Sequence, residues 1–248
     1  MVLCQVRFSP LLTMAEFIPA IQDRLRRLGY KVNASAHIQE FSFSPQGPKS
    51  TIRPHWEFQN PQRTASVVVN DGFVVFQTTA YDTFDAFYEQ LQAAVDVVSN
   101  AASGLLIQRV GLRYVDLIRP NEDESWTDYL RPGLHGFTSP ILRPETVERV
   151  HQTVGRTEAG TMVVRILQNR QGAALPADLA VHNLAVPSHA QNMGSVLATI
   201  VDMDHYREEL VEDYEPARLG EIAWQLKNGI YETFTDFVVT KHAMEVWE

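Results

Sequence analysis

A long apolar stretch near the middle of the chain, residues 105–120, constrains the fold more than any other feature. It has the sequence LLIQRVGLRYVDLIRP and follows a helical segment that ends at Gly104. Alternate side chains of a strand point to opposite faces of a sheet, and this stretch is apolar on both faces. Since a strand of this kind is covered on both sides, we predict an interior strand at the centre of a sheet.

Two arginines, Arg109 and Arg113, would lie on one face of this strand, with Gly111 between them. A buried guanidinium needs an acceptor, because stranding its charge is strongly destabilising. The pair is open to two interpretations: a clamp for an anion or carboxylate, or an internal ion pair with an acidic residue of a neighbouring strand. We favour the ion pair and expect Arg113 to meet Asp202 or Asp204. The glycine predicts a bulge or a close approach to its backbone.

The charge of the chain restricts its partners. The formal net charge is −9, and nearly all of it lies in residues 104–248. An acidic surface repels a phosphate backbone, so we expect no general binding to nucleic acid. The single cysteine, Cys4, allows no intramolecular disulfide and fits a reducing compartment. With no apolar run long enough to span a bilayer and no signal-peptide pattern, we expect a cytoplasmic protein without a membrane segment.

The order of predicted elements repeats loosely along the chain. Residues 1–103 indicate β-α-β4-α, and residues 104–248 indicate the same order with a short first helix at Trp126–Leu130 and a long last helix, about Pro216–Val239. We predict an α+β fold in which the two halves share one continuous antiparallel sheet with long helices packed on one face. Such an arrangement is TATA-binding-protein-like or helix-grip-like. Fold alone does not define function.

The strongest turn signal is Asn70-Asp71-Gly72, between the apolar runs VVV and FVVF. Asn-Gly and Asp-Gly steps favour tight hairpins whose central residues take a positive φ. We therefore predict a hairpin over residues 65–79 in which Gly72 supplies that φ.

The central motif Gly-Leu-Arg-Tyr-Val at 111–115 resembles the signature of a sporadically distributed family of uncharacterised bacterial proteins of about this length. The family also tends to carry an Asp-hydrophobic-Asp strand late in the chain, matched here by Asp202-Met203-Asp204, and a C-terminal helix that ends in an aromatic residue. The resemblance would cover the whole chain. It implies no catalytic residues, because the family has no assigned activity, and its sporadic distribution suggests an accessory component of a mobile or defence-type gene set.

Asp202 and Asp204 also allow an enzymatic interpretation. Metal-dependent nucleotidyltransferases use a Gly-Ser turn, a helix and then two aspartates on a strand, where they can hold Mg²⁺. Here only six residues separate Gly194-Ser195 from Asp202, too few for a helix and an entering strand, and they form the strand-like run VLATIV. The alternative is that one aspartate pairs with Arg109 or Arg113. The eight histidines show no metal-binding spacing, and we expect no metal or other cofactor.

Residues 202–215 form an acidic run that contains Tyr206 and Tyr214. Such runs are usually solvated faces, but aromatic residues among charges are common at protein interfaces. We therefore favour a non-catalytic binding or adaptor protein whose partner is a protein with a basic surface. The candidate binding residues are Arg109, Arg113, Asp202, Asp204 and Tyr206. The alternatives are the metal-dependent enzyme and a binder of a small anionic ligand that uses Arg113. The oligomeric state stays open, with a homodimer as one option.

Overall fold

The computed structural model describes residues 1–44, 47–137, 139, 141, 148–169, 179, 184–185 and 198–247; of these, the side chains of 36–53 and 169 are not described. The described part of the chain is an α+β fold built on one antiparallel sheet. The first half of the chain contributes the following elements: β1 (Val2–Phe8), α1 (Met14–Arg27), β2 (Val32–Asn33), β3 (Ala36–Ser44), β4 (Gly47–Gln59), β5 (Ala65–Val69), β6 (Phe73–Thr78) and α2 (Phe84–Ala101).

The second half begins with the central strand, which extends over Leu106–Ile118 as predicted. Its elements are β7 (Leu106–Ile118), α3 (Trp126–Tyr129), a 3₁₀ turn (Pro132–Leu134), β8 (Glu148–Arg156), β9 (Thr161–Asn169), β10 (Ala198–Arg207), β11 (Glu212–Asp213), α4 (Pro216–Thr233), a π-helical turn (Phe234–Val238) and α5 (Lys241–Trp247). The strand predicted over residues 180–186 lies mostly outside the described residues, and 184–185 are not in a strand.

The sheet has the strand order β2-β4-β5-β6-β1-β7-β10-β9-β8, with β3 paired to β4 and β11 paired to β7. Every pair is antiparallel. The strands β1 and β7 are neighbours, with Cys4 opposite Leu112, so strands from both halves of the chain lie in one sheet. The position of β7, between β1 and β10, makes it interior.

One face of the sheet forms the main core together with the helices. On β1 the alternating residues Val2, Cys4, Val6 and Phe8 are buried, and they cluster with residues of α1, α2 and α4, such as Ile21, Leu91 and Leu226. Burial of these apolar side chains is the main stabilising contribution. The opposite face, here called the open face, carries the intervening residues. Among the described residues, no helix is long and apolar enough to cross a membrane.

The predicted hairpin at 65–79 is confirmed, but the role assigned to Gly72 is wrong. The strands β5 and β6 pair with Val69 opposite Val74, yet Gly72 does not have a positive φ. The side chain of Asn70 closes the turn instead, because its Oδ1 accepts hydrogen bonds from the backbone N–H groups of Gly72 and Phe73, each at 2.8 Å. An asparagine side chain can mimic a backbone turn in this way.

The last helix covers the range that was predicted. Its α-helical part ends at Thr233 and continues directly as the π-helical turn to Val238, after which Val239 is extended. Val239 forms an isolated antiparallel bridge with Leu130, and its carbonyl accepts a hydrogen bond from Nε of Arg131 at 2.8 Å. The contact with the segment after α3 therefore coincides with the end of the helical segment.

Candidate functional site

The open face of the central strand carries Arg109, Gly111 and Arg113. In the antiparallel register Arg113 lies opposite Leu3 of β1 and opposite Asp204 of β10. Asp202 lies opposite Val115, which places it diagonally across from Arg113. Side chains at opposite and diagonal positions on one face are within reach of each other, so the strand register assembles a charged cluster from residues far apart in sequence.

Arg113 forms a bidentate ion pair with Asp202. Its Nε donates to Oδ1 at 2.7 Å and its Nη2 donates to Oδ2 at 2.8 Å. The Arg113 residue is 7% exposed and Asp202 is fully buried. Parallel hydrogen bonds between a guanidinium and a carboxylate are among the stronger polar contacts in proteins. The predicted pairing of Arg113 with an aspartate of β10 is confirmed.

A second arginine, Arg165 of β9, reaches the same carboxylate. Its Nη1 donates to Oδ2 of Asp202 at 3.1 Å, and its Nε donates to Oε1 of Gln152 at 2.7 Å. Both oxygens of Asp202 therefore accept hydrogen bonds from guanidinium groups. The carboxylate compensates two cations at once, which explains how it can be buried.

Arg109 is held by four weaker contacts. Its Nη1 donates to Oε1 of Gln5 at 3.0 Å, Nη2 is 3.8 Å from Oδ2 of Asp204, and Nε is 3.5 Å from Oε1 of Glu208. The guanidinium carbon lies 4.3 Å from the centre of the Tyr206 ring, a cation–π geometry. These contacts bring the predicted residues Arg109, Asp204 and Tyr206 together.

Gly111 explains why Arg109 can lie flat along its own strand. A Cβ atom at Gly111 would be 2.7 Å from Nη1 of Arg109, closer than such atoms approach. The predicted close approach is therefore confirmed, and the group that approaches is the guanidinium two residues earlier in the chain.

Burial raises the pKa of two groups at the centre of the sheet. It raises the pKa of Asp204, against the opposing effects of Arg109 and Arg113. On the helix-covered face, burial raises the pKa of the Cys4 thiol to about 12. Since the thiolate is the nucleophilic form of cysteine, Cys4 has a packing role.

A cavity of about 610 Å³, here called the open-face pocket, lies over this charged cluster. It crosses strands of both halves of the chain. It is lined by Leu3, Gln5, Arg7, His55, Val68, Phe73, Val75, Arg109, Gly111, Arg113, Val163, Arg165, Leu179, Asp204, Tyr206 and Glu208. Charged side chains of both signs therefore meet aromatic and aliphatic ones in one concave surface.

Several lining residues were missed by the sequence analysis. The alternation of buried residues on β1 was a sufficient signal for Gln5 and Arg7, because it places them on the opposite face. Arg7 is exposed, and within the described part of the chain it has no hydrogen bond or ion pair to another side chain. The contact between Arg165 and Asp202 depends on the register of β9 with β10, which no local pattern indicates.

The acidic run does not form one solvated surface. Asp202 is buried in the cluster and Asp204 is half-buried. Glu212 forms an ion pair with Arg218, in which Oε1 of Glu212 lies 3.3 Å from Nε of Arg218. The exposed carboxylates, Glu208, Glu209, Asp213 and Glu215, belong to the end of β10 and the connection to α4, here called the acidic rim.

Within the described ranges, no group of three or more His, Cys, Asp or Glu side chains is arranged to hold a metal ion. Gly194 and Ser195, the first part of the nucleotidyltransferase-like motif, lie outside those ranges.

No family model matches the chain, and comparisons with curated proteins and with solved structures find no match either. Membership of the sporadically distributed family therefore stays a prediction.

Proposed function

We propose that this chain is a non-catalytic binding protein that engages another protein through the open-face pocket and the acidic rim. The observation that carries the proposal is the lining of the pocket. Arginine and aromatic side chains, here Arg7, Arg109, Phe73 and Tyr206, are enriched at the energetic centres of protein interfaces, and these four converge on one concave surface of about 610 Å³.

The charges favour a protein over a small ligand. Small-molecule sites are mostly apolar with a few polar groups, whereas this pocket has four arginines and two carboxylates among its lining residues. A partner that meets both signs of charge needs groups of both signs spread over a surface. A folded protein or a long peptide segment supplies them.

The acidic rim supports a basic patch on that partner. The Glu208 side chain is 54% exposed, Glu209 is exposed, and Val211 between them and Asp213 is 77% exposed. Exposed charges at the edge of an interface act mainly on the association rate and on partner choice. A lysine or arginine of the partner would contact the acidic rim, and Arg7 would bind a carboxylate of the partner.

The metal-dependent alternative is less well supported by the contacts of Asp202. Both of its oxygens accept from guanidinium groups, so a cation would have to displace Arg113 and Arg165. The alternative of an anion anchored by Arg113 meets the same obstacle, because that guanidinium is bound to Asp202. Of the arginines in the pocket, Arg7 is the one whose position best suits contact with a partner.

The finer fold proposal is that the two halves are structural repeats in a TATA-binding-protein-like arrangement. The strand order supports it: outward from the central pair, β1 is followed by β6, β5 and β4, and β7 is followed by β10, β9 and β8. In each half the first strand is at the centre and three later strands follow in reverse sequence order, while β11 of the second half pairs with β7 outside this order. The open-face pocket would then span the junction between the repeats.

Site-specific photo-crosslinking in the cells that make this protein tests the proposed function. A photoreactive residue at position 7 should cross-link one defined protein, while the same residue at position 16, exposed on α1, should not. The purified cross-linked protein should then bind the chain, with at least tenfold weaker affinity for Arg7→Glu and Tyr206→Ala and unchanged affinity for Glu16→Arg. No cross-link at position 7, or equal affinity for all variants, would overturn the proposal.

A further inference from the structure

The strand β8 ends the sheet and is exposed along most of its length. Within the described part of the chain, its single partner is β9. Seven of its nine residues are exposed, and Val150 and Val154 are 65% and 57% exposed. Natural proteins usually protect such an edge with charged side chains, lysine above all, with proline, a bulge or a short strand. This edge has a regular register and neither lysine nor proline, and its charged residues are Glu148, Arg149 and Arg156.

The backbone of β8 is oriented for further pairing. Thr157 donates a backbone hydrogen bond to the carbonyl of Gly160 at 2.8 Å, which closes the hairpin. Antiparallel residues alternate between bonded and non-bonded pairs, so the odd-numbered residues of β8 bond to β9. The N–H and C=O groups of Glu148, Val150, Gln152, Val154 and Arg156 then point away from the sheet.

The sequence of β8 is complementary to itself about Gln152. In an antiparallel pair of two copies centred there, Glu148 lies opposite Arg156 of the second copy, and Val150 lies opposite Val154. The same contacts recur on the other side of the two-fold axis, because a C2 interface uses the same patch twice. Opposite charges and β-branched pairs at facing positions both stabilise strand pairing.

We propose that this protein forms a homodimer by antiparallel pairing of β8 with β8 of a second copy, in the register centred on Gln152. The side chain of Gln152 accepts from Arg165 on the open face, so the same face continues across the two-fold axis. The dimer is a single sheet in which the open faces of both copies form one surface.

A cysteine at the two-fold axis tests the register. Facing Cα atoms of a bonded antiparallel pair are about 5.5 Å apart, within disulfide range, and the native Cys4 is buried. Under mild oxidation Gln152→Cys should form a disulfide-linked dimer, while Val211→Cys, exposed on the segment between β10 and β11, should stay monomeric on a denaturing gel. Absence of the linked dimer for Gln152→Cys, or equal linkage for both variants, would overturn the register.

Charge reversal provides an independent test by analytical ultracentrifugation. Glu148→Arg and Arg156→Glu should each raise the dimer Kd about tenfold, since each places like charges opposite each other twice. The double variant Glu148→Arg/Arg156→Glu should restore the wild-type Kd. Val150→Lys/Val154→Lys should abolish the dimer, and Val211→Lys should leave it intact. A monomeric wild type at about 100 µM, or a dimer that tolerates the lysines on β8, would contradict the proposal.

Discussion

Around Arg109 and Arg113 the two faces of the central strands have opposite properties, although further along β7 the open face also buries Val115, with Leu179 and Ile200. On β7, Val110 and Leu112 are fully buried against the helices, whereas Arg109 and Arg113 on the other face are compensated by carboxylates. The helix-covered face is stabilised by the burial of apolar side chains, which involves no binding partner. On the open face, charged side chains lie near the surface and are compensated by a network of internal ion pairs. The helix-covered face thus holds the main apolar core, and the open face holds the charged groups on which the proposed binding function rests.

The largest expected difference in stability is between replacing a buried aliphatic residue of the helix-covered face and replacing an aromatic residue of the open face. Leu112→Ala should lower the free energy of unfolding by about 2–5 kcal/mol, because it leaves a cavity in the core. Tyr206→Ala should lower it by about 1 kcal/mol or less, since the half-buried ring loses mainly its cation–π contact with Arg109. Urea denaturation of both variants measures the difference. Equal losses would mean that the open face belongs to the core.

Two glycines provide a smaller contrast. A Cβ atom at Gly229 of α4 would be 2.7 Å from Cε1 of His205, and one at Gly111 would be 2.7 Å from Nη1 of Arg109. His205 is buried and cannot move aside, so Gly229→Ala should cost about 1–2 kcal/mol despite the better helix propensity of alanine. The Arg109 side chain can move, so Gly111→Ala should stay within about 1 kcal/mol of wild type. Thermal melts that reverse this order would contradict the contrast.

The smallest expected effects are on the pH dependence of stability. A buried group on the helix-covered face and one on the open face should change stability in opposite directions as the pH falls. Burial lowers the pKa of His205, whose Nδ1 lies 2.9 Å from the Leu226 carbonyl. The folded state favours the neutral form of His205. Stability is therefore lost as the pH falls through the unfolded-state pKa of about 6.5. Burial raises the pKa of Asp204. The contribution of Asp204 to stability is present at pH values below its unfolded-state pKa of about 3.9. It is lost as the pH rises through the higher folded-state pKa.

The non-titrating variants His205→Gln and Asp204→Asn isolate these contributions. Relative to His205→Gln, wild type should lose stability as the pH falls below about 6.5. Relative to Asp204→Asn, it should lose stability as the pH rises above about 3.9. Parallel stability curves for wild type and either variant would show that the corresponding group does not titrate as described.

Local patterns were enough to predict much of the helix-covered face. The alternation on β1, the helical stripes and the apolar run at β7 all report burial, which is a property of each segment. They also predicted the pairing of Arg113 with Asp202 or Asp204, because both segments are apolar strands with charge on one face. The choice between the aspartates, and the second contact from Arg165, depend on the register among β7, β10 and β9.

A competing local interaction explains why the role predicted for Gly72 was wrong. At Asn70 a side-chain acceptor replaces the backbone geometry that Gly72 was expected to supply. The end of the last helix, predicted at about Val239, coincides with the bridge between Val239 and Leu130. The alternation on β1 also places Arg7 on the open face, because Val6 and Phe8 on either side of it are buried.

The most direct test of the account is a double-mutant cycle on Arg113 and Asp202, measured by urea denaturation. The central claim is that this pair is an internal structural element, which leaves Arg7, Arg109 and Tyr206 for a partner. Arg113→Met and Asp202→Leu should each cost about 3–5 kcal/mol, because each strands a buried charge. The double variant should cost less than the sum by about 2 kcal/mol or more, since Arg165, with its side chain 28% exposed, can be hydrated.

The exposed pair Arg218 and Glu212, with side chains 41% and 35% exposed, is the matched control, and its cycle should give a coupling below about 1 kcal/mol. A large coupling for Arg113 and Asp202 with a small one for the control is the predicted result. Losses for Arg113→Met and Asp202→Leu that add within about 0.5 kcal/mol would contradict the account and would make Arg113 itself the first candidate for ligand contact.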